Sequence, residues 1–176
     1  MRNTAIESFA KDLVCLTDQL CEIQKQIRDK ISTYANERKL KGNELVAWLG
    51  EIYVKLLYDG LLADETEEPD VYCKDGKQIS VKTRKGVSAW NRTSGIPRMY
   101  GDGIPTHLAF VHLHDNYALD RIWLFPWEDL IRNNRFKQKK VRGNELDYYF
   151  ILNENRDLKY LVYKNSPNNA IKTDAG

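Results

Sequence analysis

Residues 68–85, EPDVYCKDGKQISVKTRK, decide the fold, because their pattern predicts a β-hairpin with one polar strand face. Asp75-Gly76 is a dipeptide that tolerates positive φ, so it predicts a two-residue turn between two strands. Side chains alternate along a strand, so the second arm has one apolar and one polar face. The apolar face carries Ile79, Val81 and Thr83, and the polar face carries Gln78, Ser80, Lys82 and Arg84.

The first arm of this hairpin begins with Asp70, directly after Pro69. We expect its carboxylate to lie across from residues 80–82, where the hydroxyl of Ser80 and the ammonium of Lys82 share a face. Oxygen ligands of this kind hold Mg²⁺, and a lysine stabilises charge that develops on a phosphate or helps to orient the attacking water. The pattern therefore predicts a site suited to phosphodiester hydrolysis.

At these residues the sequence resembles the PD-(D/E)xK nuclease superfamily, which has the restriction-endonuclease-like fold. The matching positions are Pro69-Asp70 for the PD half-motif, Ser80-Val81-Lys82 for the (D/E)xK half-motif, and Gly50-Glu51 for the helix glutamate that often precedes them. The order, the spacing and the predicted αββ context agree with the family. The resemblance extends over roughly residues 44–130.

The resemblance implies hydrolysis of DNA that depends on Mg²⁺ or Mn²⁺, as in restriction or repair endonucleases. It assigns Asp70 and Glu51 to the metal and gives Lys82 the role of stabilising the pentavalent phosphate. Ser80 or Gln78 would complete the site through an oxygen or a held water.

One position departs from the family pattern. Ser80 stands where the family usually carries Asp or Glu, and in some branches Gln, and a hydroxyl is a poorer metal ligand than a carboxylate. Either the second ligand has moved to Glu51, Gln78 or a water held by Ser80, or the metal site is weakened or lost. In the latter case the chain is a catalytically weakened, nuclease-like module for DNA binding or assembly.

Composition sets the general class of the protein. The chain has 176 residues, 42% hydrophobic and 30% charged, which is enough to bury a core within one folded domain. No apolar run approaches the roughly 20 residues that span a bilayer, and the N-terminus lacks a signal-peptide pattern, so we expect a soluble, cytoplasmic protein with no membrane partner. The three cysteines are too scattered for a disulfide framework, and a net charge of +2 does not by itself indicate nucleic acid.

Three regions are expected along the chain: a long helix in residues 1–40, a nuclease-like domain in 41–165 and a flexible tail in 166–176. The helix carries a heptad seam formed by Ile6, Phe9, Leu13, Leu16, Leu20, Ile23, Ile27 and then Ile31 or Tyr34. Such a seam pairs with its copy in a second subunit or packs on the chain's own second helix. A homodimer would suit double-strand cleavage, because two symmetry-related sites address both strands. A protein-interaction scaffold built on this helix is a further alternative.

The predicted fold class is α/β in the α+β sense, a restriction-endonuclease-like mixed sheet of about five or six strands flanked by helices. A second helix is expected at about residues 43–58, and strands at 106–113 and 121–125. Residues 146–152 and 158–163 predict a closing pair of strands. The histidines near these strands, His107, His112 and His114, lack a further ligand that would complete a zinc site, so we expect structural or surface roles.

Two stretches are predicted to contact DNA. Residues 86–105 form a long segment that mixes arginine, aromatic and small polar side chains, and residues 132–142 carry six bases and no acids. Such mixtures contact phosphates and stack on bases. The alternatives are a flap that only covers the core and a solvated loop. The expected DNA contacts are Arg84, Lys85, Trp90, Asn91, Arg92, Arg98, Arg135, Lys137, Lys139 and Lys140.

Overall fold

The computed structural model describes residues 19–34, 45–64, 66–87, 92–96, 99–114, 117–140 and 146–165. The chain divides into two compact units, Met1–Leu45 and Val46–Gly176. In the first unit, residues 19–32 form helix α1, on which the seam residues Leu20 and Ile23 are exposed. The remainder of the predicted long helix and the predicted tail lie outside the described residues. None of the helices in the described ranges is long and apolar enough to cross a lipid bilayer.

From α2 onward, the described elements follow one another in chain order. They are α2 (Leu45–Leu57), β1 (Leu61–Leu62), β2 (Val71–Tyr72), β3 (Gln78–Lys85), β4 (Arg92–Ile96), β5 (His107–Leu113), β6 (Leu119–Pro126), α3 (Trp127–Arg132), β7 (Phe136–Lys140), β8 (Leu146–Ile151), α4 (Glu154–Asp157), a 3₁₀ helix (Leu158–Tyr160) and β9 (Leu161–Lys164). The second helix and the strands predicted at 106–113 and 121–125 thus form close to their predicted bounds.

The larger sheet has six strands in the order β1-β2-β3-β5-β6-β9. β3 and β5 run parallel, and the other neighbouring pairs are antiparallel. This confirms the predicted mixed sheet. A parallel pair requires a crossover connection, and residues 86–106 supply it between β3 and β5.

The smaller sheet is antiparallel, with the order β4-β8-β7. Two of its strands, β4 and β7, come from the stretches 86–105 and 132–142, for which no strand was predicted. The predicted closing pair of 146–152 with 158–163 is wrong, because β8 joins the smaller sheet and β9 pairs with β6. Between them, α4 and the 3₁₀ helix replace the tight turn that a hairpin requires, so the chain passes from one sheet to the other.

Each face of the larger sheet is covered by a different layer. One face packs against partly buried residues of α2, around a core of Val54, Val71, Cys73, Ile79, Val81, Ala109, Val111, Leu113 and Ile122. The other face packs against the smaller sheet and α3, around Ile96, Leu108, Phe110, Trp123, Phe125, Trp127, Leu130, Phe136, Phe150 and Leu152. Because register partners point to the same side, Ser80 and Lys82, which pair with Leu108 and Phe110, face this second layer.

Candidate active site

The hairpin that carries the candidate site closes through three residues rather than two. The Cys73 N–H donates to the Lys77 carbonyl at 2.8 Å, and the Gly76 N–H donates to the Cys73 carbonyl at 3.0 Å. Gly76 has φ of +86°, the left-handed conformation that ends such a loop. The resulting register pairs Val71 with Ile79 on the apolar face. A two-residue turn at Asp75-Gly76 would instead pair Val71 with Ser80 and move it to the polar face.

Asp70 lies immediately before β2, and its backbone and side chain are both fixed. Its N–H donates to the Ile79 carbonyl at 2.9 Å, and its carbonyl accepts from the Ala63 N–H at 3.0 Å. Its carboxylate oxygen Oδ2 accepts from the Val81 N–H at 2.6 Å and from the Ser80 hydroxyl at 3.3 Å. The carboxylate is therefore held against β3, beside the strand face that carries Lys82.

Asp70 and Lys82 line the same cavity, whose volume is about 210 Å³. The segment before β2 contributes three carboxylates, β3 contributes a hydroxyl and an ammonium, and β4, residue 105 and α3 supply the remaining walls. The described residues that line it are Glu67, Glu68, Asp70, Ser80, Lys82, Gly95, Ile96, Pro105 and Trp127. The indole Nε1–H of Trp127 donates to the Met99 carbonyl at 3.1 Å, which orients this wall.

Two carboxylates of the cavity, Glu67 and Glu68, belong to the acidic segment that precedes the hairpin. Glu67 is held in that segment, since its Oε2 accepts from the Asp64 N–H at 3.2 Å. Partial desolvation and the adjacent Glu67 charge raise the pKa of Tyr72 above its ordinary value. From the sequence, this acidic loop is expected to be a solvated connection from which Glu67 or Glu68 could supply an outer metal ligand, and the structure places both in the cavity lining.

Lys82 is half-buried and lines the cavity without a salt bridge or hydrogen bond to any described residue. The neighbouring lysines of the hairpin differ in this respect. Lys74 pairs with Asp59, and Lys77 pairs with Asp75. In contrast to Lys74 and Lys77, Lys82 has no carboxylate partner among the described residues, so its charge is available to a bound anion.

Glu51 and Gln78, two further predicted site residues, do not line the cavity. Glu51 is half-buried on α2, which packs against the other face of the sheet. Its neighbour Gly50 approaches β3 so closely that an added Cβ would lie 1.8 Å from Thr83 Oγ1. Gln78 engages the chain through its backbone, where its N–H donates to the Thr106 hydroxyl at 2.9 Å.

The donor set around the cavity suits Mg²⁺ in its chemistry, since its acidic and hydroxyl groups offer hard oxygen atoms. Among the described residues, no three His, Cys, Asp or Glu side chains converge closely enough to hold a metal by themselves. Mg²⁺ is commonly bound through one or two carboxylates together with waters and substrate phosphates. The cavity offers Asp70 as one such carboxylate, already held in place by hydrogen bonds from Val81 and Ser80.

No protein-family model matches this sequence. A comparison with curated proteins finds no significant relative either. Function is therefore inferred from the chemistry of the site.

Six of the residues predicted to contact DNA lie, entirely or with their side chains, outside the described part of the chain. Trp90, Asn91 and Arg98 fall outside the described residues, and the same holds for the side chains of Arg92, Lys139 and Lys140, although their backbones belong to β4 and β7.

The described residues of that set have different surroundings. Arg84 is half-buried with a hydrogen bond to the Thr83 carbonyl at 2.9 Å, and burial lowers its pKa below the ordinary value. Lys85 lies 4.2 Å above the Tyr117 ring centre, and Lys137 is exposed.

Arg135 has a structural role that corrects the prediction of an exposed DNA contact. Its guanidinium binds both carboxylate oxygens of Asp157 at 2.8 Å, and its side chain is only 10% exposed. It also lies 4.9 Å from the Phe150 ring centre. The basic run conceals this pairing because Asp157 lies 22 residues further along the chain.

The histidines have no role in this cavity. His112 is buried, with one ring nitrogen 2.7 Å from Asp120 and the other 3.0 Å from the Gly86 carbonyl. Burial alone would raise the pKa of Asp120, but hydrogen bonds from His112 and Arg121 outweigh it and lower that pKa. This cluster ties the end of β3 to β5 and β6.

Proposed function

We propose that this protein is a Mg²⁺-dependent nuclease of the restriction-endonuclease-like type that hydrolyses phosphodiester bonds of DNA. The observation that carries the proposal is that Asp70 and Lys82 line one cavity, with the Asp70 carboxylate fixed by the Val81 N–H at 2.6 Å. The finer fold assignment and the choice of DNA as substrate rest on the resemblance of these residues to the family motif.

The charge balance of the cavity supports a divalent cation. Among the described residues, three carboxylates and one ammonium line this cavity of about 210 Å³. Like charges in a partly enclosed site repel one another, and a divalent ion removes that repulsion. When bound, the ion supplies a Lewis acid that polarises the phosphate and activates water.

The residues of the chain have separate tasks in this proposal. Asp70 would be the anchoring ligand, because hydrogen bonds from Val81 and Ser80 fix the position of its carboxylate. Lys82 stabilises the charge that develops on the phosphate oxygens, a type of interaction that is strongest in a site from which water is excluded. Ser80 donates a hydrogen bond to Asp70 and thereby holds its orientation.

Glu67 and Glu68 provide the carboxylate that the family pattern would place at Ser80. Both line the cavity, whereas Glu51 does not. The second acidic ligand is therefore proposed to have moved from β3 to the segment before β2.

A cleavage assay on supercoiled DNA with Mg²⁺ or Mn²⁺ tests the proposal. Asp70→Asn should abolish nicking, and Lys82→Gln should lower it by about 10²–10³-fold, the effect of removing one charge-stabilising donor. Asp75→Asn and Lys74→Gln make the same charge changes in the turn of the same hairpin and serve as matched controls. Equal activity of all five proteins would remove the catalytic assignment.

The second candidate function is a nuclease-like DNA-binding or assembly module without activity. Ser80 and the absence of a three-ligand group among the described residues favour it. It predicts DNA binding with neither nicking nor a gain in melting temperature at millimolar Mg²⁺ or Mn²⁺. Metal titration followed by nicking and thermal unfolding therefore separates the two functions.

A further inference from the structure

A second cleft, of about 390 Å³, lies between the α3–β7 turn and the β8–α4 turn. Three cations line it, Arg135, Lys137 and Arg156, together with the amide side chains of Asn133, Asn134 and Asn153. The residues come from two segments of chain that the smaller sheet brings together. The cleft is thus built by the fold and is separate from the lining of the cavity around Asp70.

Arg135 forms a fixed base for this cleft. Its two terminal nitrogens bind the Asp157 carboxylate at 2.8 Å, and one of them also donates to the Ile151 carbonyl at 3.1 Å. Asp157 is fully buried and accepts a further hydrogen bond from the Asn153 N–H at 2.8 Å. Asp157 therefore fixes the position of the Arg135 guanidinium and balances its charge.

Lys137 and Arg156 supply positive charge that this carboxylate does not balance. Within the part of the chain that the structure describes, the Lys137 ammonium has one long contact, 3.4 Å to the Asn134 carbonyl. Arg156 uses Nε to approach Asp157 at 3.2 Å, and its two terminal nitrogens have no partner among the described residues. Counting the described residues, one carboxylate faces three cations here, which leaves a formal charge of +2.

We propose that this cleft binds a phosphate group of a nucleic-acid backbone. Lys137 and Arg156 approach it from different elements, and an ammonium and a guanidinium with unused donors are the groups that bind phosphate oxygens. Side-chain amides add the neutral hydrogen bonds that accompany such contacts. The proposal rests on the proposed function, since a nuclease substrate supplies the phosphate. The cleft would hold that substrate at a point outside the cavity in which cleavage is proposed.

Fluorescence anisotropy with a labelled DNA duplex, in EDTA so that no cleavage occurs, tests the proposal. The double variant Lys137→Gln/Arg156→Gln should bind the duplex at least about tenfold more weakly at low salt. The slope of log K against the logarithm of salt concentration should decrease in magnitude by about 0.9 for each phosphate contact removed. Lys159→Gln/Lys164→Gln makes the same change in charge on exposed residues outside the cleft and should bind like the parent. The single variant Lys137→Gln, at an exposed position, should show part of the loss and guards against misfolding of the double variant.

An equal loss in the cleft and control variants, or parent-like binding by the cleft variant, would overturn the proposal. A parallel titration with inorganic phosphate, followed by amide NMR shifts at Asn134 and Asn153, addresses the source of the anion. Shifts with phosphate together with unchanged duplex binding would assign the cleft to a small free anion and reject the nucleic-acid backbone.

The failure of this inference is distinguishable from the failure of the proposed function. If Asp70→Asn leaves nicking unchanged but the cleft variant loses duplex binding, the catalytic assignment fails and the phosphate cleft stands. If Asp70→Asn abolishes nicking while the cleft variant binds duplex like the parent, the phosphate cleft fails and the catalytic assignment stands.

Discussion

The Asp70 carboxylate and the Val81 backbone N–H are joined by a hydrogen bond of 2.6 Å. The pairing of β2 with β3 extends only as far as Ile79. Beyond that point the Asp70 side chain, rather than a strand carbonyl, accepts the hydrogen bond from the Val81 N–H. One side chain therefore both completes the edge of β3 and lines the cavity. The two roles can be separated by substitution.

Asp70→Asn should retain an oxygen acceptor for the Val81 N–H, whereas Asp70→Ala should lose it. We expect Asp70→Ala to lower the free energy of unfolding by about 1.5–3 kcal/mol, the range for a hydrogen bond to a charged group, and Asp70→Asn to cost less. Both should lose any gain in stability from Mg²⁺. Urea unfolding in EDTA and in Mg²⁺ measures both effects. Equal stability of the two variants in EDTA would show that the hydrogen bond contributes little.

Gly76 should tolerate Asn better than Val, because its φ of +86° is costly for a β-branched residue. We expect Gly76→Val to cost about 1–2 kcal/mol or more of unfolding free energy and Gly76→Asn distinctly less. An added Cβ meets nothing within 4 Å at this position, so the difference reports backbone conformation rather than a clash. Equal melting temperatures for the two variants would contradict the assigned turn.

Gly50→Ala should destabilise the packing of α2 on β3, because its new Cβ would lie 1.8 Å from Thr83 Oγ1. Overpacking of this kind costs about 1–3 kcal/mol. Thr83→Ala alone should cost roughly 1 kcal/mol, because it removes a buried methyl group, whereas the lost hydroxyl has no hydrogen-bond partner among the described residues. The double variant should recover part of the loss, and a double-mutant cycle by urea unfolding measures the coupling. Strictly additive effects would argue against this contact.

Asp157→Asn should destabilise the protein by about 3–5 kcal/mol at neutral pH, because it leaves the Arg135 charge buried without its partner. Burial alone would raise the pKa of Asp157, but hydrogen bonds from Arg135 and the Asn153 N–H, with the charge of Arg156, hold it below the ordinary value.

The expected pH dependence follows from that lowered pKa. The unfolded carboxylate, with a pKa of about 3.9, binds protons before the folded one, so the stabilisation is complete above that pH and is lost as pH falls through the folded pKa. The difference in urea midpoint between the parent protein and Asp157→Asn should therefore be constant near neutral pH and shrink below about pH 4. A difference in urea midpoint that grows on acidification would contradict the expected direction of this pH dependence.

Local patterns in the sequence predicted the parts of the fold that depend on neighbouring residues. Alternation placed Ser80 and Lys82 on one face of β3, and apolar spacing located α2 and β5. The Asp75-Gly76 signal identified the hairpin but not its loop length, because a three-residue loop that ends in a left-handed glycine contains the same dipeptide. The predicted polar face was right although the predicted turn was one residue too short.

Contacts between distant segments could not be predicted in the same way. The walls of the cavity at Ile96 and Trp127 depend on how β4 and α3 pack on the larger sheet. The partner of Arg135 lies 22 residues away, and a single sequence carries no sign of that pairing. β4 and β7 are short strands in polar stretches, so they lack the apolar alternation by which strands are predicted.

The parallel pairing of β3 with β5 has a consequence for the order of folding. The β2–β3 hairpin is closed by a local turn, whereas β5 can join β3 only after the crossover at 86–106 is bridged, and such distant pairings form more slowly. Because that crossover includes β4, its docking also supplies the Ile96 wall beside Lys82. A newly synthesised chain would thus bring its aspartate and serine together early and enclose them only at the end of folding.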